Sequence, residues 1–497
     1  MPTRIKERLE RLERLANPML VRQMYQSLHS RKFLGALWLM LLVSLLTYMV
    51  VYMASSGGES VGGTMFSVFA LVLFLAATVV LPYMAFSDLV EEVNSRTIEL
   101  IQITCMGARS QVRGRLQAAL SRLLLLYSVI GPFAVVAFLF GGVGVGAILL
   151  TLYTLLVLAC LAVSVGIFFA ALTSVKNMRH MARWLYLGVL IFTLLVGGYN
   201  LMGVLGGLTF GRGMGLGTDA LAYVVVTGVE GALLSWFLCA AAANLLTFEA
   251  NKSSGRTRFI LLLMVASAFG FSWLVMGVTG DFDEGSLILV EVLSALFLAG
   301  CSMVWLTGAR RVPATVRRKL QNRGVLYRLL RYPFVDGPGG GAIYMLLAGM
   351  LILAGVLPAL AVDRLWEEEI MCVPLILALA YGPYFSSCTW GITRMLPRRY
   401  RNPLVRRGLL LGLGVCHAFI AVLWFAASLG GGGRMGSYAG NPVAGLFPLV
   451  YLPSLLDDGG RPLVVLSGLF LVVLVGLVPH VVIAVVDLGR HLNGDYD

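Results

Sequence analysis

Ionisable residues inside long apolar runs are the first place to look for chemistry, because an unneeded charge is expensive in a membrane. The candidates are few: Glu230, Glu291, His417 and His480. Acids of this kind serve proton or sodium coupling, but a coupled carrier needs several of them deep in its spans. Glu230 and Glu291 both stand toward the ends of their runs, and their scarcity counts against ion coupling. The five histidines (29, 180, 417, 480, 491) do not share metal-ligand spacing. The seven cysteines are scattered without a Cys-x-x-Cys pair, so they read as small packing residues. No Gly-x-x-x-x-Gly-Lys-Ser/Thr sequence occurs, and the glycine-rich stretch 336–341 lacks the lysine a phosphate loop requires; it reads as a flexible turn. The chain therefore carries no ATPase motif, no recognisable catalytic set, no metal centre and no cofactor site of its own.

A different chemistry is offered by 88–115, an acidic and basic interruption between two apolar runs. Read as a helix, Glu92, Arg96, Glu99 and Gln102 share one face, with Arg96 placed to pair with both acids. Val93, Leu100 and Ile101 fall on another side, suited to packing against a membrane domain. Such a helix is a handle for a soluble partner, or else an ordinary amphipathic loop; the spacing alone divides these evenly.

The elements that must position these residues are membrane spans. The chain has 497 residues, of which 59% are apolar and only 13% charged, and its mean hydropathy is +0.87. Runs of roughly 20 apolar residues, each long enough to cross a bilayer, recur throughout. They predict an all-α polytopic membrane protein of about twelve spans: 34–54, 65–86, 116–140, 145–172, 184–206, 221–248, 259–279, 287–308, 341–362, 370–391, 408–428 and 463–486. With both termini cytoplasmic, the basic clusters 4–32, 96–115, 176–183, 252–258, 310–331 and 394–407 all fall on one side. Acidic loops such as 281–284 and 367–369 fall on the other. The net charge of +13 thus reports topology and not a nucleic-acid partner. Residues 4–15 form an amphipathic pattern suited to the membrane interface, and nothing at the N-terminus reads as a signal peptide. The stretch 429–462 is the longest outer connection, with an apolar segment that could be re-entrant.

The interruption resembles a known family. Permease subunits of the ABC-2 type carry, between their second and third spans, a pattern near Glu-Arg-Glu-x-Gly-Thr-Leu-Glu-Leu-Leu followed by Thr-Pro. Glu92 matches its first acid, residues 97–101 match its Thr-Leu-Glu-Leu-Leu core, Thr104 its later threonine, and Gly114-Arg115 the Gly-Lys before span three. The approach Asn17-Pro18-Met19-Leu20-Val21-Arg22-Gln23-Met24 looks like the family's Asn-Pro and basic lead-in to span one. Val93, Asn94, Arg96 and Cys105 depart from the pattern. The resemblance covers about residues 15–250 and implies a cytoplasmic elbow helix and lead-in (1–33), and an ABC-2-like six-helix module (34–248) with a coupling helix in 88–115. A linker (249–258) and a second six-helix module of unassigned role (259–497) follow. It implies a non-enzymatic permease subunit of an exporter in a bacterial inner membrane, working as a homodimer or heterodimer among membrane lipids. A separate ABC ATPase, holding ATP and Mg, would dock through Glu92, Asn94, Arg96, Thr97, Glu99, Leu100 and Thr104. The competing expectations are an ion-coupled secondary transporter and a non-transport membrane scaffold or polytopic enzyme. The apolar spans lean toward a hydrophobic cargo.

Overall fold

The computed structural model describes residues 18–54, 61–95, 107–141, 143–174, 179–209, 218–247, 254–279, 324–335 and 338–361, with a few positions between 482 and 489. Its contacts divide the chain into two units, Met1–Glu249 and Ala250–Asp497. Every described element is helical, and six described helices are long and apolar enough to cross a membrane. That is the architecture of a multi-pass membrane protein.

The first unit begins with a short amphipathic helix, α1 (Pro18–Leu28), which buries Met19 and Gln23 and exposes Val21 and Tyr25. It turns at His29 into α2 (Arg31–Ala54). α3 (Val61–Leu75) passes through a π-helical turn, Ala76–Val80, into α4 (Leu81–Asn94). α5 (Ala108–Leu139), α6 (Val145–Leu172), α7 (Arg179–Thr209) and α8 (Thr218–Leu246) complete it. α6 is central: it packs against α4, α5, α7 and α8. Its buried face, Leu155, Ala159, Val163, Ile167 and Ala170, recurs every three or four residues, as one stripe of a helix must. The buried stripe that runs through α3, the π turn and α4 is Phe66, Phe69, Leu73, Ala77, Leu81, Ala85 and Leu89.

Hydrophobic attraction between helices is weak in lipid, so close packing and polar contacts must hold them. Gly166 meets that need: a Cβ there would stand 2.8 Å from the Pro82 carbonyl oxygen. Cross-helix bonds add to it. The Tyr127 hydroxyl donates to the Leu152 carbonyl at 2.7 Å, and the Tyr153 hydroxyl donates to the Val224 carbonyl. The α2 helix is the outlier, since only 11% of its apolar window is buried. Its exposed Trp38, Leu42, Leu46, Met49 and Val50 form a face suited to hydrocarbon and not to water.

In the second unit, α9 (Gly255–Thr279) packs against α11 (Pro338–Ala361); a short α10 (Val325–Arg331) and a 3-10 turn, Tyr332–Phe334, precede α11. Arg258 of α9 is almost fully buried. Its Nη1 donates to the Pro333 and Val335 carbonyls at 2.7 and 2.9 Å, while the Tyr344 hydroxyl donates to the carbonyl of Arg258 at 2.7 Å. The expectation of a flexible glycine turn at 336–341 is corrected here for its second part. α11 already starts at Pro338, and a Cβ on Gly340 would lie 2.5 Å from the Val335 carbonyl oxygen. The glycine permits a tight crossing of backbone and is not there for flexibility.

The stretches expected to span at 34–54, 145–172, 184–206 and 259–279 lie on described helices, 65–86 on α3, the π turn and α4, and 116–140, 221–248 and 341–362 lie on them up to Leu139, Leu246 and Ala361. Those at 287–308, 370–391 and 408–428, and most of 463–486, lie outside the described residues, as do the 4–15 helix and the 429–462 connection.

Candidate functional site

The helices flanking the charged interruption are too long for a bilayer alone. Val61–Asn94 has 34 residues and Ala108–Leu139 has 32. At 1.5 Å per residue each is about 50 Å long, against a hydrocarbon core of roughly 30 Å. The excess lies where the charges are, at the end of α4 and the start of α5. Hydropathy predicts spans ending at 86 and starting at 116; the helices continue past both limits because their polar side chains find partners in one another.

Those partners form a ladder. Asp88 and Glu92 are one turn apart on α4, and Arg122 and Arg115 are two turns apart on the antiparallel α5. Arg115 donates from Nη2 to Glu92 Oε2. Arg122 Nη2 lies 3.6 Å from Asp88 Oδ2. From α1, Arg22 Nη2 approaches Glu92 Oε1 at 3.8 Å, and α1 itself packs against α5. Glu92 thus ties together three elements of distant sequence. The side chain of Arg115 is 2% exposed and that of Glu92 15%, so this pair is largely desolvated. Breaking such a pair by removing one partner is destabilising by about 3–5 kcal/mol. The deeper rung is mixed, its Asp88 side chain 44% exposed but its Arg122 side chain only 4%, and its contact is longer, so it contributes less than the Glu92–Arg115 pair but more than a fully exposed one. Arg109 and Arg113 lie on the exposed side of α5, as Glu91 and Asn94 do on α4. Ser95 closes α4, its hydroxyl donating to the Glu91 carbonyl at 2.9 Å.

Two expectations change. Glu92 and Asn94 belong to the last turn of the second span's helix and not to a separate coupling helix. Glu92 also turns inward onto Arg115, whereas a handle for a soluble partner would present it outward. The physical reason is that a helix continued from α4 points position 92 at α5, where a buried guanidinium awaits it. Asn94 is exposed at the helix end. Arg96, Thr97, Glu99, Leu100 and Thr104 lie outside the described residues, as do Glu291, His417 and His480.

Glu230 is half-buried on α8, two residues beyond Gly228, against which the Tyr153 hydroxyl packs. Among the described residues no cluster of His, Cys, Asp and Glu could hold a metal ion.

Arg22, Asp88 and Arg122 were absent from the sequence-derived set. The signal was present in part: Arg122 falls inside a predicted span, and Asp88 and Glu92 are spaced for one helix face. What spacing alone does not supply is the pairing across 23 residues between Glu92 and Arg115. Chemically the assembly is a brace. It binds α1 and the ends of α4 and α5 into one body. Comparison with protein families, curated proteins and solved structures finds no match.

Proposed function

We propose that the chain is the permease subunit of an ATP-driven, ABC-2-like exporter, with a separate ATPase docking on the segment that joins α4 to α5. The observation that carries this reading is the three-way brace of Arg22, Glu92 and Arg115. A docked motor does work on a membrane domain only through a rigid element, and a pair of overlong helices joined by a desolvated ion pair supplies one. The residues that would meet the motor are Asn94, Arg96, Thr97, Glu99, Leu100 and Thr104. Glu92 holds the platform from beneath. In this reading the chain has about twelve spans with cytoplasmic termini in a bacterial inner membrane. Two copies, or one copy and a similar partner, form the substrate path, and ATP and Mg belong to the partner subunit.

Ion-coupled transport is the weaker reading. It asks for several deep acids, and among the described residues Glu230 is the sole intramembrane acid that the sequence singles out. Purification of the tagged chain in mild detergent tests the proposal. An ABC-type ATPase should accompany it and should be lost with Glu99→Arg. A chain that carries no ATPase, in a strain where Glu99→Arg leaves function intact, contradicts it.

A further inference from the structure

The middle of the second span carries a feature that the brace does not use. The helix from Val61 to Asn94 is interrupted by the π-helical turn Ala76–Val80, where the Leu81 amide donates to the Ala76 carbonyl. Pro82 follows at once. A π turn is marginal in itself and clusters at sites with a role. Proline has no N–H to give. Pro82 therefore donates neither to the Thr78 carbonyl in α register nor to the Ala77 carbonyl in π register.

Helices α6 and α7 close over this stretch. Tyr186 enters from α7, its ring stacked on Phe86 with centroids 4.2 Å apart. It is 3% exposed, and its hydroxyl is buried and makes no hydrogen bond to any protein group. Beside it is a chamber of about 10 Å³ lined by Thr78, Pro82, Ala162, Tyr186, Val189 and Thr193, among others. The Thr78 hydroxyl donates to the Phe74 carbonyl at 2.7 Å, and the Thr193 hydroxyl to the Val189 carbonyl at 2.8 Å. Each therefore keeps lone pairs free to accept.

We propose that this chamber is a site for a single bound water, held by the Tyr186 hydroxyl, the Thr193 hydroxyl oxygen and the hydroxyl and carbonyl oxygens of Thr78, and that it makes the π turn a hydrated joint in the second span. The volume meets the lower bound for one water, roughly 10–15 Å³ by the same kind of measure, and the site offers the two to four polar partners a buried water takes. The mechanical consequence follows from the surroundings. Backbone groups exposed to hydrocarbon must be answered within the protein. A water on the Thr78 carbonyl, which Pro82 leaves without its α-helical donor, lets α3 and α4 flex about the π turn without stranding it. This joint does not depend on what drives the protein.

The test uses the full-length protein in lipid nanodiscs, and its first reading is a sign. Tyr186→Phe removes only the hydroxyl. If that hydroxyl holds a water, the change strips a hydrogen-bonded group and lowers the thermal midpoint by about 2 °C. If the hydroxyl is dry, its loss relieves an unanswered polar group, and an unchanged or raised midpoint overturns the proposal. The second reading is radiolytic hydroxyl labelling. Tyr186, 3% exposed, should label several-fold faster than Tyr344, which is 0% exposed and whose hydroxyl is spent on the Arg258 carbonyl. Equal rates overturn the proposal whichever way the midpoint moves.

Discussion

Arg115 and Arg258 are both buried arginines near the start of a long helix, one in each unit, and they are answered in different ways. Arg115 donates to a carboxylate on another long helix, 23 residues away in sequence. The Nη1 of Arg258 donates to two backbone carbonyls of the tight turn before α11. A carboxylate partner stands on a helix of its own, so the desolvated pair makes two long helices act as one body. Backbone carbonyls in a turn cannot leave without unfolding the turn. The first arrangement suits an element that transmits movement; the second suits a staple that fixes where the chain reverses.

The comparison is broken most severely at Glu92. Glu92→Leu leaves the Arg115 guanidinium buried and unanswered, and stability should fall by about 3–5 kcal/mol, read as a large drop in the thermal midpoint of the purified protein. The paired change Glu92→Leu with Arg115→Leu removes both charges and should recover most of that loss. If the pair serves transmission, the double variant will be stable yet uncoupled. If it serves only stability, the double variant will be stable and active.

Arg258→Met should cost about 2–3 kcal/mol, since it leaves the Pro333 and Val335 carbonyls without the guanidinium and forfeits hydrogen bonds from a charged group. Arg258→Lys should recover only part of this, because an ammonium lacks the guanidinium's fixed fork. The same unfolding measurement checks both. Full recovery by lysine would show that charge alone matters there and would erase the contrast with Arg115.

The smallest effect belongs to Asp88→Asn. With Asp88 44% exposed but Arg122 only 4%, this deeper rung should lose about 1–2 kcal/mol, less than the Glu92 rung because half of it is open to solvent. That loss should shrink further as salt is raised, whereas the Glu92 effect should resist salt. Equal salt sensitivity at the two rungs would contradict the difference in burial between them.

Much of the architecture is legible in the sequence, for a specific reason. Apolar runs of bilayer length report directly on helices, and α6 begins and ends at Val145 and Leu172, where the apolar run itself does. Hydropathy fails where polar groups satisfy one another. Residues 87–94 and 108–115 fall outside the predicted spans because they are charged, yet they continue the span helices, with Glu92 and Arg115 meeting between them. The π turn at Ala76–Val80 is invisible to any pattern of apolar residues, since Ala-Ala-Thr-Val-Val is as apolar as its neighbours; only Pro82 hints that the ladder is disturbed. The burial of Arg258 was hidden for a related cause. A basic residue in a basic linker looks solvated until the turn that receives it, some 75 residues on, has been folded against it.

The site was legible as a place more than as a set of roles. The region between spans two and three stood out by composition, and Asn94 does stand exposed at its edge. Glu92 was singled out too, but for the opposite orientation, because helix spacing names a face without saying which face is inside.

The central claim is that the ends of α4 and α5 carry a platform for an ATPase. Placing a photoreactive amino acid at Asn94, and separately at the exposed Trp38 of α2, tests it directly in intact cells. The account predicts a covalent adduct with an ABC-type ATPase from Asn94 and none from Trp38. No ATPase adduct at Asn94, or equal capture at both positions, would contradict it.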